Sequence, residues 1–387
     1  MDAVLPDTPP AARRMRGRAL RYALAFTGPA LAFWGFNSRG LATWALPLYG
    51  FALIPLLELF LKPDHERLTE EEEAAALADP LYDILLIAFV PLQWAVLVLF
   101  LFRVSEPGLL PWEVAGRITT MGFMCGVYGI NIAHELGHRS NRWERNLSRS
   151  LLLTSLYMHF IIEHNRGHHR RVATPDDPAS ARYGENVYFF WARTIVFSFL
   201  SAWRIEADRL RKEHTAPFGA RNEMIRFLFV EATLIVAVFL LFGAHVLLCF
   251  LGAALIGILL LETVNYIEHY GLGRPLNERG NYGRVQHVHS WNSDHVIGRL
   301  MLFELTRHSD HHYLASRKYQ VLRSEAEGPQ LPTGYPGMMI LSLIPSLWFR
   351  TVDPIIIRLA EQHPTLTFAR STSRPRQGAS SGNTATA

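Results

Sequence analysis

Residues 224–267 form an almost unbroken apolar run of forty-four residues, about twice the length one helix needs to cross a bilayer. Inside hydrocarbon every backbone N–H and C=O must be satisfied within the segment, so a run of this kind can only be helical. It reads as two spans, 224–243 and 245–267. Four more apolar runs of similar length, at 19–38, 41–62, 81–103 and 111–133, bring the expected number to six. Hydrophobic residues make up 49% of the chain and aromatics 12%. The fold expected is therefore an all-α integral membrane protein, with one domain over 19–369 topped by a helical cap. A soluble helical core is the competing reading. Arg117 falls inside the fourth span and must face protein or an interface. The run 151–162 is too short to span and reads as an interfacial or buried helix. Residues 187–203, amphipathic and bounded by Trp191 and Trp203, read as a helix lying along the membrane surface.

Charge orients these spans. Arg13, Arg14, Arg16, Arg18 and Arg21 cluster around the start of the first span, and basic residues favour the cytoplasmic side. Residues 1–18 then form a cytoplasmic N-terminal segment, and six spans return the C-terminus to the same side. The polar stretches 63–80, 134–223 and 268–387 share that face. Arg139, Arg142, Arg145, Arg149, Arg166, Arg170 and Arg171 agree with the assignment. The formal net charge of +4 is modest and its basic residues border membrane segments, so nucleic-acid binding has no support. The only cysteines, Cys125 and Cys249, fall inside spans and offer neither a disulfide framework nor a CxxC pair. No secretory leader is evident, because the basic N-terminus precedes a full-length span with no small-residue cleavage site. The acidic run 70–73 reads as a solvated helix face, and 370–387, rich in Ser, Thr, Ala and Gly, as a disordered tail.

On the same expected face lie three histidine clusters: His134 and His138 in HELGH, His164, His168 and His169 in HNRGHH, and His308, His311 and His312 in HSDHH. Each repeats at a spacing that gathers imidazoles on roughly one side of a helix. Eight imidazoles exceed what one tetrahedral zinc requires, and the economical reading is two metal ions held by histidine. HELGH also matches the H-E-x-x-H pattern of zinc peptidases, but a mononuclear site leaves the other six histidines without a role. Nitrogen and oxygen ligands with open positions suit oxygen-activating iron. A membrane site suits an apolar substrate, which partitions into lipid at roughly 0.8 kcal/mol per CH₂. A non-catalytic metal-binding or transport protein is the other class. It would need polar residues lining an ion path, and Arg117, Glu231 and Glu262 are the few candidates.

The boxes HxxxH, HxxxHH and HxxHH resemble those of the membrane fatty-acid desaturase and hydroxylase superfamily. Together with NYIEHYGL at 265–272 and HSWNSDH, they are similar to the alkane 1-monooxygenases over roughly 20–360. Thr306 and the GLGRP after NYIEHYG depart from the usual pattern. The resemblance implies a di-iron site of nine histidines: His134, His138, His164, His168, His169, His269, His308, His311 and His312. It implies terminal hydroxylation of medium- to long-chain n-alkanes with O₂, in the inner membrane of a bacterium. Electrons would come from a separate rubredoxin, reduced by an NADH-dependent reductase, since the chain lacks rubredoxin-type cysteine pairs. Aryl-methyl monooxygenases of the xylene type and fatty-acyl desaturases or hydroxylases are the neighbouring readings.

Further residues acquire expected roles. Glu135, Glu268, Asp310 and Asn265 are the favoured partners for the second ring nitrogen of a ligand histidine, among a wider set that includes Glu163, Asp176 and Asp177. Arg142 and Arg145 are candidates for docking an acidic electron donor, with positive-inside anchoring as the simpler reading. Gly50 is a candidate for the far end of a substrate slot, with close helix packing as the alternative. His287, His289 and His295 flank the HSWNSDH motif and read as hydrogen-bonding residues before ligands. His65, His159, His214, His245 and His363 read as incidental.

Overall fold

The long apolar run is helical from Glu223 to His269, but it is not one helix: Gly243, at φ 82° and ψ 176°, interrupts it. Forty-seven residues of continuous α-helix would reach about 70 Å, more than twice the roughly 30 Å of a hydrocarbon core. Glycine is the residue that takes a positive φ at no steric cost, and the break falls where the sequence divides the run. This architecture comes from a computed structural model, which describes residues 9–369. The tail assigned to 370–387 lies outside the described residues, as do residues 1–8. Among the described residues nearly all regular structure is helical, with a single two-stranded antiparallel pairing of Leu272–Gly273 with Thr367–Phe368.

Among the described residues three stretches are long and apolar enough to cross a membrane: Gly40–Glu58, Leu81–Arg103 and Glu223–His269. The remaining two expected spans are helical but more polar at their ends. The first begins early, at Pro10, and continues through a 3₁₀ turn at Tyr22–Phe26 into Thr27–Phe36. Residues 10–18 are therefore packed into the fold. Arg14 pairs with Glu66 and Glu72, while buried Arg18 lies 3.3 Å from Glu66 and 3.7 Å from Glu304. The hydroxyl of Tyr22 donates to Glu304 at 2.5 Å. The fourth expected span runs from Pro111 through a π turn at Met124–Ile130 into Asn131–Gly137, which carries His134 past the apolar stretch. Arg117 sits near its start, donating to the Ser38 carbonyl at 2.9 Å and to Glu106 at 3.0 Å.

The run 151–162 is not the single helix expected. An amphipathic helix, Arg142–Leu153, ends at a turn containing Leu156 at φ +52°, and the chain resumes as Phe160–Glu163. Irregular backbone at membrane depth is tolerable only when protein satisfies its polar groups, and the spans do so here. Cys125 Sγ donates to the Thr154 carbonyl at 3.4 Å, and Ser155 Oγ to the Cys125 carbonyl at 3.2 Å. Gln93 donates to the Thr154 hydroxyl at 3.1 Å, the Met158 N–H to Glu231 at 2.8 Å, and the Tyr157 hydroxyl to Glu262 at 2.9 Å. Segment 142–163 is thus a helical hairpin whose tip is held by the apolar helices. Glu231 and Glu262, two of the polar groups that an ion path would use, are committed to its tip. The chain then leads into the second histidine cluster, while the amphipathic helix at 187–203 extends further, over Val187–Lys212. A second core of Tyr266, Tyr270, Trp291, Tyr335 and Trp348 fastens the C-terminal helices Tyr335–Ser342 and Pro345–Gln362 to the segment carrying His269.

Candidate metal centre

Nine imidazoles converge as two adjacent sets. His134, His138, His164, His169 and His311 form one; His168, His269, His308 and His312 form the other. In the first, the Nε2 atoms of His134 and His311, His138 and His164, His164 and His169, and His169 and His311 lie 3.0–3.1 Å apart. In the second, His168 to His312, His269 to His308 and His308 to His312 lie 2.9–3.2 Å apart. Two nitrogens at right angles on a metal about 2.1 Å away are about 3.0 Å from each other, so these spacings suit a common ion within each set.

Local backbone explains the sorting. The pairs His134/His138 and His308/His312 are four residues apart and share a helix face. His164 and His169 are five apart, and they share a face because His164–His168 is a π turn, in which bonding runs from i to i+5. Adjacent residues diverge by about 100° on a helix, so each His-His doublet is split. His169 and His311 go to the five-imidazole set, His168 and His312 to the four-imidazole set. The expectation that each cluster points one way holds for HELGH, whereas HNRGHH and HSDHH each divide between the two sets.

The donor chemistry fits metal. Burial, reinforced by neighbouring imidazoles, pushes His164, His169, His308, His311 and His312 well below the usual histidine range and His138 to about 3. These rings are therefore neutral, the form that binds metal. Burial opposes charge on His168 too, but Asp177, whose oxygen is 2.9 Å from Nδ1, outweighs it and raises the ring's affinity for a proton. Burial would likewise raise Asp177, yet His168 and the Ser180 hydroxyl hold it at about 2. A carboxylate can only accept, so Nδ1 of His168 carries a hydrogen, and Nε2, 3.2 Å from Nε2 of His312, is the ring atom left to face a metal. Converging lone pairs repel unless a cation lies between them.

An apolar cavity ends at both sets. His134, His164, His308 and Glu268 close its inner end, and Gly50, Phe51, Phe123, Val127, Leu261 and Met301 are among its walls.

The sequence profile of the fatty acid desaturase family matches residues 107–342. Alkane 1-monooxygenase 1 of Pseudomonas aeruginosa is 42% identical over 84% of this chain and 83% of its own length. Alkane 1-monooxygenase of Acinetobacter baylyi is 38% identical over 79% of this chain and 75% of its own. The chain belongs to the alkane 1-monooxygenase family. A more distant relative, the hydroxylase component of the xylene/toluene monooxygenase of Pseudomonas putida, is 29% identical over 86% of this chain and 87% of its own.

Within this alkane 1-monooxygenase framework, the polar partners differ from those expected. Asp177, not one of the favoured candidates, holds a ring nitrogen. Glu135 instead pairs with Arg139 at 2.8 Å and accepts from the Tyr319 N–H at 3.3 Å, so it is placed neither to orient an imidazole nor to act as a peptidase base. Asp310 is engaged by Arg317 and by the Arg323 N–H at 2.9 Å, with His287 3.7 Å away. Sequence adjacency misled here because a residue next to a helical ligand projects onto another face. Glu268 reaches its cluster from the cavity side, 3.2 Å from Nε2 of His308. Asn265 donates to Glu262 at 3.1 Å and borders the cavity. His287, Asp310 and Glu325 also converge, but Arg317 and Arg67 already engage the carboxylates. His289 bonds the Thr365 carbonyl, His295 the Ser293 hydroxyl and His65 Asp294, and none of them joins either set. Arg142 is exposed, whereas Arg145 donates to the carbonyls of Arg139 and Ser140 at 3.1 and 2.6 Å. A Cβ on Gly50 would stand 2.6 Å from the Phe123 ring, so this glycine both packs a helix and borders the cavity.

Proposed function

We propose that this chain hydroxylates the terminal methyl group of medium- to long-chain n-alkanes to primary alcohols. The observation that carries this reading is the apolar cavity ending between two imidazole sets, which accommodates a flexible hydrocarbon and offers it no polar partner until its last carbon. Two irons, one in each set, would supply oxygen activation. The protein's share is to hold nine imidazoles, to stack Phe160 on His164 with ring centroids 4.8 Å apart, and to keep water from the walls around the substrate chain. An alkane gains roughly 0.8 kcal/mol per CH₂ on leaving water for such surroundings, so the bilayer and the cavity compete evenly and substrate can move between them.

Six spans in a bacterial inner membrane, with the cap and both termini cytoplasmic, complete the proposal. The N-terminal arginines support it, because Arg14 and Arg18 pair with Glu66, Glu72 and Glu304 on the same side as the histidines. Reduced rubredoxin, recharged by an NADH-dependent reductase, is the proposed donor. Exposed Arg142 is suited to meet an acidic surface, while Arg145 is committed to the chain's own carbonyls. The test is purified protein in liposomes with reduced rubredoxin, O₂ and octane, hexadecane, p-xylene or a fatty acyl substrate. Primary alcohol from the alkanes is expected. Turnover of only the aromatic or acyl substrate would overturn the assignment.

A further inference from the structure

Beside the substrate cavity lies a smaller one that the proposed reaction leaves without a use. His164 and His168 border one end of it; Tyr157, His159, Ser198, Glu262 and Asn265 line the other. Glu262 is 2% exposed, and its bonding partners are all uncharged. The hydroxyls of Tyr157 and Thr194 donate to it at 2.9 Å each, and Asn265 donates at 3.1 Å. Asn265 also borders the substrate cavity, so Glu262 sits one residue from the reacting end of the slot.

Thr194 begins a line of hydroxyls on helix Val187–Lys212. Thr194, Ser198 and Ser201 are spaced by four and three residues and so share one face. The oxygens of Thr194 and Ser198 are 3.5 Å apart. Ser201 donates to Glu163 at 3.1 Å and accepts from Arg171 at 2.7 Å, and the Arg171 side chain, 28% exposed, brings the line to the surface. His159 adds an independent sign. Its ring is 8% exposed, it borders the same cavity, and its Nε2 has no partner. Burial pushes this ring to about 4, so it is neutral. A buried polar atom without a partner, in a polar space with room for a water molecule, calls for that water.

Resting on the proposed function, we propose that Glu262, reached through the hydroxyls of Ser201, Ser198 and Thr194 and the water space beside His159, delivers the protons the reaction consumes. Hydroxylation breaks one C–H bond, places one oxygen atom of O₂ in the alcohol, and releases the other as water. That balance requires two electrons from the donor and two protons from solvent. The substrate slot cannot carry protons, because its walls are apolar. The hydroxyls can, since each oxygen both accepts and donates, with the small cavity that Glu163 and Ser198 share bridging Ser201 to Ser198. A purely structural reading makes Glu262 a clamp between helix Val187–Lys212 and the hairpin tip, and the two readings part experimentally.

The test compares native protein with Glu262→Gln, Glu262→Asp and Ser198→Ala, each reconstituted in liposomes with reduced donor. Glu262→Gln should keep its metal and melting temperature yet lose about a hundredfold in alcohol formation, with electrons diverted to free hydrogen peroxide. Ser198→Ala should lose several-fold, with a solvent deuterium isotope effect larger than that of native protein, and Glu262→Asp should recover part of the loss. In metal-free protein, Ser198→Ala should also slow the D₂O shift of the infrared carboxyl band that Glu262→Gln removes. Coupled turnover at the native rate in Glu262→Gln would overturn the proposal. So would metal loss in proportion to activity, which would make Glu262 a clamp. Absence of metal from native protein would instead count against the di-iron reading.

Discussion

In the five-imidazole set, His138 and His169 are only half-buried, and the exposed Arg170 follows His169 directly. The four-imidazole set is enclosed: His168, His269, His308 and His312 are each at most 6% exposed, with Asp177 behind one ring and Glu268 beside another. The rings of His169 and His312 nevertheless stand with centroids 4.6 Å apart. One centre therefore has a side toward the surface, where a donor protein can approach, and the other is an enclosed site bounded by carboxylates. The first also has a nitrogen to spare. On the proposed function, electrons would enter through the outer set and the inner one would govern metal retention.

The largest expected effect breaks the inner set. Replacing His312 by Ala leaves three imidazoles there, and metal should fall from about two ions to about one per chain, with turnover abolished. Replacing His138 by Ala leaves four in the outer set, so most metal should remain and turnover should drop only in part. Equal metal loss in both variants, measured by elemental analysis, would erase the distinction. Next, Asp177→Asn replaces the charged acceptor that fixes His168 with a weaker neutral one and should weaken metal retention or activity by about 10- to 100-fold. Asp310→Asn, which touches no ligand, should leave metal affinity near native in a chelator titration.

Gly50→Trp probes the slot that both sets share. The indole must displace the Phe123 ring, at an overpacking penalty of about 1–3 kcal/mol. The longest alkane accepted should shorten while short alkanes still give terminal alcohols; an unchanged chain-length profile in folded, metal-loaded protein would leave Gly50 a packing residue. The smallest effect is expected at the surface of the outer set. Arg142→Glu should raise the donor's KM a few-fold at low salt and lose that effect as ionic strength rises, since exposed charges are screened beyond about 8 Å in physiological salt. Arg145→Glu should act differently, lowering stability by about 1 kcal/mol through lost bonds to the Arg139 and Ser140 carbonyls.

The imidazoles could be read from the chain because four-residue spacing on a helix and the NYIEHYG block both leave a mark in the sequence. The split doublets and the pairing of His164 with His169 could not, because the second depends on a π turn that a 3.6-residue period does not encode. Two more π turns, Tyr49–Leu53 and Met124–Ile130, supply walls of the substrate cavity. The spans emerged from apolar length, and the break at Gly243 from their combined excess over a bilayer. The hairpin over 142–163 was hidden because its evidence lies elsewhere in the chain, in Gln93, Glu231 and Glu262, polar residues whose partners are distant in sequence. In the sequence Asp177, though a candidate, ranks below Asp310 for the same reason: nearness along the chain stands in for nearness in space.

The central claim is two metal sites of different enclosure built from nine imidazoles. Elemental analysis and iron X-ray absorption on one sample of native protein test it most directly. The account predicts about two irons per chain with nitrogen-dominated coordination near 2.1 Å, and on mild chelation one iron leaving before the other. A single zinc per chain, or two irons lost together from sulfur- or oxygen-dominated sites, would contradict it.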